Sequence, residues 1–224
     1  MKVAIMQPHF LPFYGYFKLI KHVDLFLFYD SAQFNKRSWQ SRTYISNGNS
    51  RFLWSLPVVS TGGSRKPIRE TNVLLSAQKA NQSVKRLRHF YGSNCEAIDL
   101  VISMLDAGQF NLAEWNIQAI LVLSDILNIK TDTRRASEFE ITAPTAVEKL
   151  IELCEAVQAT TYVATIGAKG YLNEGKFSEK GISVEWLEYK SAQALQNEQK
   201  PYPSIIDHIC SHGLDSAMQL VDGC

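Results

Sequence analysis

Apolar residues along this chain fall into two periods, one of strands and one of helices. Val3 to Met6 is a short apolar run that reads as a buried strand. Gln7-Pro8 stops it, because proline cannot donate to a sheet ladder. Gly15 then opens a helix-like run, Tyr16 to His22, and Asp24-Leu-Phe-Leu-Phe-Tyr-Asp30 reads as a second buried strand. Thr43-Tyr-Ile and Phe52-Leu-Trp-Ser-Leu-Pro-Val flank Asn47-Gly48, a strong turn signal, and predict a hairpin. Thr61-Gly-Gly-Ser-Arg-Lys-Pro67 reads as a flexible loop carrying Arg65 and Lys66, with Arg69 just beyond.

From about Ser76 to Ile129 the period becomes helical. Ile98, Val101, Ile102 and Leu105 follow i, i+3, i+4, i+7, and Leu112, Trp115, Ala119, Leu123 and Ile126 line a further helix. Thr145-Ala-Val-Glu148 is a capping box that opens a helix to about Val157. A β-branched strand from Thr160 to Ile166, a strand from Ile182 to Leu187 and a helical end from Ser204 complete the pattern. Strands alternating with helices at both ends predict an α/β fold: a mostly parallel, Rossmann-like sheet with an inserted helical block. The expected division is an α/β core from residues 1–75 and 140–200, a helical insertion at 76–139 and a C-terminal helical segment at 201–224, all one structural unit.

Composition narrows the class. With 224 residues, 46% of them hydrophobic, the chain can bury a full core. A net charge of +1 argues against a nucleic-acid partner and against a polybasic membrane anchor. The N-terminus does not read as a signal peptide, and no apolar run approaches the ~20 residues a membrane span needs. Cys95, Cys154, Cys210 and Cys224 show no CxxC spacing, which predicts free thiols in a reducing cytoplasm.

Strand, polar loop, glycine and helix is how open α/β sheets build a site at the carboxyl edge of a strand. That pattern points to Gln7, His9, Tyr14, Gly15 and Tyr16, with helix N–H groups after Gly15 placed to hold an anion. Asp30, at the second strand's end, suits a general base or a sugar-hydroxyl partner. Gln33, Lys36, Trp39 and Arg42 follow it, the two cations suited to a diphosphate. The layout loosely resembles the HxGH start of nucleotidyltransferases, but Phe13-Tyr-Gly-Tyr16 keeps the glycine and lacks both histidines.

Elsewhere, Gly167-Ala-Lys169-Gly170-Tyr171 resembles a phosphate-binding nest with a lysine at a helix start, although no GxxxxGK[ST] loop is present. His208 and His212 have metal-sharing spacing but no HExxH and no third ligand, so no metal is expected. Lys85-Arg86-Leu-Arg88-His89 is expected to be a solvated helix face.

The N-terminal block resembles that of the WbqC-like proteins. The matching residues are Met6-Gln-Pro-His-Phe-Leu-Pro-Phe-Tyr-Gly-Tyr-Phe-Lys-Leu-Ile20, Asp24 to Asp30, Gln33-Phe, Trp39 and Arg42. Arg69-Glu-Thr-Asn-Val, the Tyr162 to Leu172 turn, and Tyr202-Pro-Ser-Ile-Ile-Asp207 with Gly213 also fit, while residues 75 to 140 match little. One departure is the lead-in to Ile-Ile-Asp207, one residue shorter than the family's aromatic-Pro-x-Leu-Ser, so no role is carried over to Ser204. The resemblance implies a cytoplasmic enzyme of O-antigen or related surface-polysaccharide biosynthesis acting on a nucleotide-linked sugar, with glycine (aminoacyl) transfer suggested for the group. It supplies no catalytic residues.

The resulting expectation is an acyl or aminoacyl transferase acting on the amine of a nucleotide-linked amino sugar. His9 or Asp30 would be the base, Gln7 the oxyanion or hydroxyl partner, and Lys36, Arg42 and Lys169 the phosphate ligands. The donor is left open between an acyl-CoA, an aminoacyl carrier and a free amino acid with ATP. The alternatives are an ATP-dependent ligase or nucleotidyltransferase-like enzyme, and a non-catalytic sugar-nucleotide-binding protein.

Overall fold

A computed structural model describes residues 1–46, 51–59, 66–92, 95–105, 108–189 and 202–223. Its centre is a five-stranded parallel sheet. β1 (Lys2–Met6) lies in the middle, with β2 (Leu25–Phe28) and β7 (Asp132–Arg135) on one side and β8 (Thr161–Thr165) and β9 (Ser183–Leu187) on the other. The chain therefore builds outward from β1 in one direction, then returns to build outward in the other. This is the strand order of a Rossmann-like, doubly wound sheet, as the alternating pattern predicts.

The pleat explains how one sheet serves two cores, because successive side chains point to opposite faces. Ala4, Phe26 and Phe28 join one buried cluster with α1 (Tyr14–Lys21) and α4 (Leu112–Ile126). Val3, Ile5, Leu25 and Leu27 join the other with α5 (Ala146–Ala156) and Phe177 of α6 (Glu174–Ser178). A sheet covered on both faces reads as an unbroken apolar run, and every residue of β2 is buried. Thr145 caps α5, its hydroxyl accepting the Glu148 N–H at 3.3 Å.

Between β2 and β7 the chain leaves the sheet. It forms the antiparallel hairpin β3 (Arg42–Ser46) and β4 (Arg51–Ser55), and the antiparallel pair β5 (Asn72–Leu75) and β6 (Gly108–Asn111). α2 (Ala77–Tyr91) and α3 (Glu96–Ser103) come before β6 and α4 after it. The predicted turn at Asn47-Gly48 and the loop at 61–65, with Arg65, lie outside the described residues. α7 (Ile205–His212) and α8 (Leu214–Asp222) close the chain, with Ser204 capping α7 and Lys21 of α1 paired with Asp222.

Three expectations are corrected. The block at 76–139 is not purely helical: β6 and β7 both lie in it, and β7 belongs to the central sheet. Its sequence, Asp-Thr-Arg-Arg, has no apolar residue because an edge strand needs only its backbone ladder to β2. Second, Cys95 and Cys210 are not free thiols but a disulfide joining the start of α3 to α7, with Cα atoms 5.5 Å apart. Proximity across 115 residues leaves no spacing signal, so the cysteines argue for no compartment. Cys154 is the buried free cysteine, its thiol pushed up to about 12 by burial, and Cys224 lies outside the described residues. Third, Lys169 starts no helix. It follows the single 3-10 turn Ile166–Ala168.

Among the described residues no helix is long and apolar enough to cross a membrane.

Two stability predictions follow from these contacts. A disulfide that closes so long a loop restricts the unfolded chain, so reduction with dithiothreitol is expected to lower the unfolding free energy by about 2–4 kcal/mol. Cys95→Ser should show the same loss and no further response to reductant in urea titrations. Asp207 of α7 is buried, and burial pushes its carboxyl up to about 8, even though both oxygens accept the Ser46 N–H at 2.9 and 3.1 Å. The native state therefore holds a proton that the unfolded chain releases above about pH 4, so stability falls as pH rises from about 4 to about 8. Melting temperatures measured across that range should slope less in Asp207→Asn than in the unmodified protein.

Candidate active site at the sheet's switch point

The order of the sheet reverses between β1 and β8, the place where doubly wound sheets bind ligands beyond their strand ends. Here the two strands also part. They pair at only two register positions, Lys2↔Thr161 and Val3↔Tyr162, whereas β8 and β9 pair at five. Beyond Val3 a gap opens, and residues 7–13 fold over it.

That loop has few partners of its own, so distant segments satisfy it. Asn116, fully buried on α4, donates its amide to the Pro8 carbonyl at 2.9 Å and the Gln40 carbonyl at 2.7 Å. Phe10 donates its N–H to Trp39, the Thr43 hydroxyl donates to Leu11, and Ile205 donates its N–H to Pro12. Phe10 itself is buried between Trp54 and Trp115, ring centroids 5.0 and 5.1 Å away. These ties hold Leu11 at φ 43, a left-handed conformation that a leucine adopts only under constraint.

Gln7 and His9 emerge from this loop. The Gln7 side-chain oxygen accepts from the buried Gln40 amide at 2.7 Å, and Gln40 in turn accepts the Asn35 N–H. The lock leaves the Gln7 amide nitrogen as the donor at the crevice. His9 is half-buried against the Tyr16 ring, 5.3 Å between centroids, and burial lowers its imidazole to about 4. It is therefore neutral at pH 7, with a free lone pair but less basic than an ordinary histidine.

Two cavities meet at His9. One, of about 550 Å³, lies on the α1 side between Trp39, Arg42 and Thr43 on one flank and Phe13, Tyr189 and Tyr202 on the other. Phe13 stands edge-on to Tyr189 at 5.4 Å and stacks with Tyr202 at 6.1 Å. The Arg42 guanidinium lies 5.4 Å over the Trp39 ring, with no carboxylate in ion-pair range among the described residues and its Nε buried without a hydrogen-bond partner. The second cavity, of about 470 Å³, runs along the carboxyl ends of β1 and β8 toward α5, past Gln7, Tyr29, Thr165 and Tyr171. It reaches Leu19 of α1 through the parted strands, and among the described residues His9 is the single one lining both cavities.

Other residues singled out in the sequence fall elsewhere. Asp30 is not exposed at the crevice: it is buried, and its carboxylate accepts the Ser137 N–H at 3.0 Å and hydroxyl at 2.6 Å. It fastens the end of β2 to the turn after β7 and lines neither cavity. Tyr16 is fully buried and donates its hydroxyl to the Gln7 carbonyl at 2.9 Å, so it positions the loop rather than touching a ligand. Tyr14 is buried against Tyr202. Gly15 is required by packing, since a Cβ there would overlap the Phe13 ring and come within 2.8 Å of Tyr189. Gln33 bridges to Pro67, and Gln33 and Lys36 are exposed outside both cavities. Lys169 lies 5.4 Å from the Trp186 ring, also outside. His208 and His212 stack at 4.5 Å, and His208 meets the Ser216 hydroxyl at 3.0 Å. No group of three metal-ligating side chains forms among the described residues.

The sequence reading missed Tyr189, Tyr202 and Phe13 as walls, and Gln40 and Asn116 as supports. Asn116 did carry a signal: it is an amide on the apolar helical face of Leu112, Ala119 and Leu123.

Fold and site together define a doubly wound α/β protein with a two-chambered crevice at its switch point. The chain belongs to the WbqC-like protein family, which matches residues 7–219. It is also similar to the uncharacterized protein Rv1507c of Mycobacterium tuberculosis (strain ATCC 25618 / H37Rv), 29% identical over 222 residues that cover 96% of this chain and 95% of the other. No solved structure matches the chain.

Substituting Asn116 by Leu removes the donor of two carbonyls at once. The expected cost is about 2–5 kcal/mol in urea unfolding, since each orphaned buried carbonyl costs about 1–3 kcal/mol.

Proposed function

We propose that this protein is a transferase of surface-glycan biosynthesis that moves an acyl or aminoacyl group onto the amine of a nucleotide-linked amino sugar. The observation that carries the reading is the junction of two cavities at one neutral histidine. A transfer needs two substrates with a base between them, and His9 stands between a chamber whose Arg42 has no carboxylate in range among the described residues and a second chamber. In this reading the Trp39–Arg42 chamber takes the nucleotide sugar, Arg42 meeting the diphosphate and the aromatic walls the planar groups. The donor's acyl end lies in the other chamber. His9 accepts the amine proton as nitrogen attacks the carbonyl, and the Gln7 amide donates to the oxygen where negative charge develops. Collapse of the adduct breaks the bond from the carbonyl to the donor, whose leaving group departs with the proton returned by His9. The glycan assignment rests on the resemblance of the N-terminal block. Asp30 and Lys169 play no part.

Thermal-shift titrations with UDP- and dTDP-linked amino sugars, coenzyme A thioesters and ATP test this directly, followed by mass spectrometry of the acceptor. A nucleotide sugar is expected to raise the melting temperature, and Arg42→Ala to remove that rise. His9→Gln should keep the rise and lose turnover by roughly 10²–10⁴-fold. Because burial keeps His9 deprotonated, the acid limb of kcat/KM should fall near pH 4 rather than near 6.5. ATP consumed in proportion to product would instead make the enzyme a ligase.

A further inference from the structure

The chamber that runs along the carboxyl ends of β1 and β8 is aliphatic over most of its wall. Ile5 and Met6 come from β1, Val163 and Ala164 from β8, Leu19 from α1 and Leu150 from α5. Three tyrosines, Tyr29, Tyr162 and Tyr171, add to it, and burial raises each phenol above its ordinary value, so all three are neutral at pH 7. The other polar side chains, Gln7, His9 and Thr165, stand at the strand ends on the side of the first chamber. Thr165 meets the hydroxyl of Tyr189, a wall of that chamber.

No Asp, Glu, Lys or Arg is among the described lining residues. That composition decides between donors. A glycyl or other aminoacyl group brings an α-ammonium, and an ammonium buried without a carboxylate is strongly disfavoured. A free carboxylate or an acyl phosphate needs a cation, and this chamber supplies none. The positive end of α5, whose first residue Ala146 lies at the chamber, is already answered by Glu148 in the same turn. A thioester carries no charge at its reacting end, and an aliphatic arm asks only for burial.

Size sets the length of that arm. An apolar cavity of roughly 150 Å³ holds a benzene ring. The chamber's volume of about 470 Å³ is roughly three times that, room for a chain of roughly eight to fourteen carbons beside its thioester end.

We propose that this chamber binds the acyl arm of a thioester donor, and that the group transferred is an apolar chain of roughly eight to fourteen carbons rather than an aminoacyl group. The inference rests on the transferase reading for the reaction, and on the chamber for the chain. The arm runs toward α5 with its carbonyl carbon at His9 and Gln7. There the amine forms the carbon–nitrogen bond, the carbonyl–sulfur bond breaks, and the amine proton reaches the departing thiolate by way of His9.

Calorimetric titration of the full chain with N-acetylcysteamine thioesters of acetate, butyrate, octanoate, dodecanoate and glycine tests the chain without an acceptor. Octanoyl is expected to bind roughly 10²–10³-fold tighter than acetyl, because each fully buried methylene contributes roughly three- to fourfold. Glycyl should bind no tighter than acetyl. Ala146 is exposed, so Ala146→Trp sets an indole at the α5 end of the chamber without disturbing the core. It should weaken dodecanoyl by roughly tenfold, the worth of about two buried methylenes, and leave butyryl unchanged. An unchanged melting temperature will show that the variant is folded, and the series on the unmodified chain decides the matter alone if it is not. Equal affinity for acetyl and octanoyl overturns the proposal, as does tighter binding of glycyl. So does an Ala146→Trp variant that weakens short and long chains alike, or neither. Because the series needs no acceptor, its failure strikes the acyl arm only, and the melting-temperature rise with a nucleotide sugar remains the separate measure of the transferase reading.

Discussion

β1 and β8 stay hydrogen-bonded for two register positions and then separate, and that parting governs the rest of the site. Parallel strands joined along their full length would leave a closed sheet edge with room for a ligand only above it. Separation beyond Val3 instead lets one crevice pass between the strands and communicate with both faces. The same sheet already maintains two distinct cores, divided by the alternation of Val3, Ala4 and Ile5. A histidine at the lip of the gap therefore faces two compartments that the fold keeps apart everywhere else.

Keeping that gap open has a cost in backbone satisfaction. A loop lying over an apolar crevice cannot rely on water for its carbonyls and amides. This one draws its partners from α4, from the segment before β3, from β3 itself and from the start of α7. The excursion between β2 and β7 thus has a structural purpose: it carries Trp39, Gln40, Thr43 and Asn116 back to the loop from far along the chain. Asn116 is the most exacting of these, because a buried amide with two carbonyl partners fixes both position and orientation.

The sequence made the frame legible wherever burial imposed a period. β1, β2 and β8 were continuous apolar or β-branched runs, β9 alternated Ile182, Val184 and Trp186 with polar residues, α5 declared itself by its Thr145 cap, and the hairpin by its flanking strands. β7 was hidden because an edge strand contributes backbone rather than apolar side chains, and β6 because four residues inside a helical stretch carry too little pattern. Gln7 and His9 were singled out by their place after a strand and Trp39 and Arg42 by the polar segment that follows β2, and each of the four lines at least one of the two cavities. Asp30 was singled out by its place too and misread: its location at a strand end was right, but its Ser137 partner comes from a turn 107 residues later. The Cys95–Cys210 bond and the walls made by Tyr189 and Tyr202 are likewise tertiary facts with no local trace.

The C-terminal helix α7 shows how far the site's geometry depends on distant contacts. Ser204 donates its N–H to Tyr44, Ile205 to Pro12, and Asp207 accepts the N–H of Ser46. One helical turn thereby binds the site loop and the hairpin strand β3 to the same rigid body. Cys210, one turn further on, ties that body to α3. Tyr202 stands two residues before the cap, so its ring takes its place in the cleft from these four attachments together with its contacts to Phe13 and Tyr14. The packing of α7 therefore helps set the width of the aromatic chamber, and a change at Ser204, Asp207 or Cys210 acts on the cleft without touching a residue that lines it.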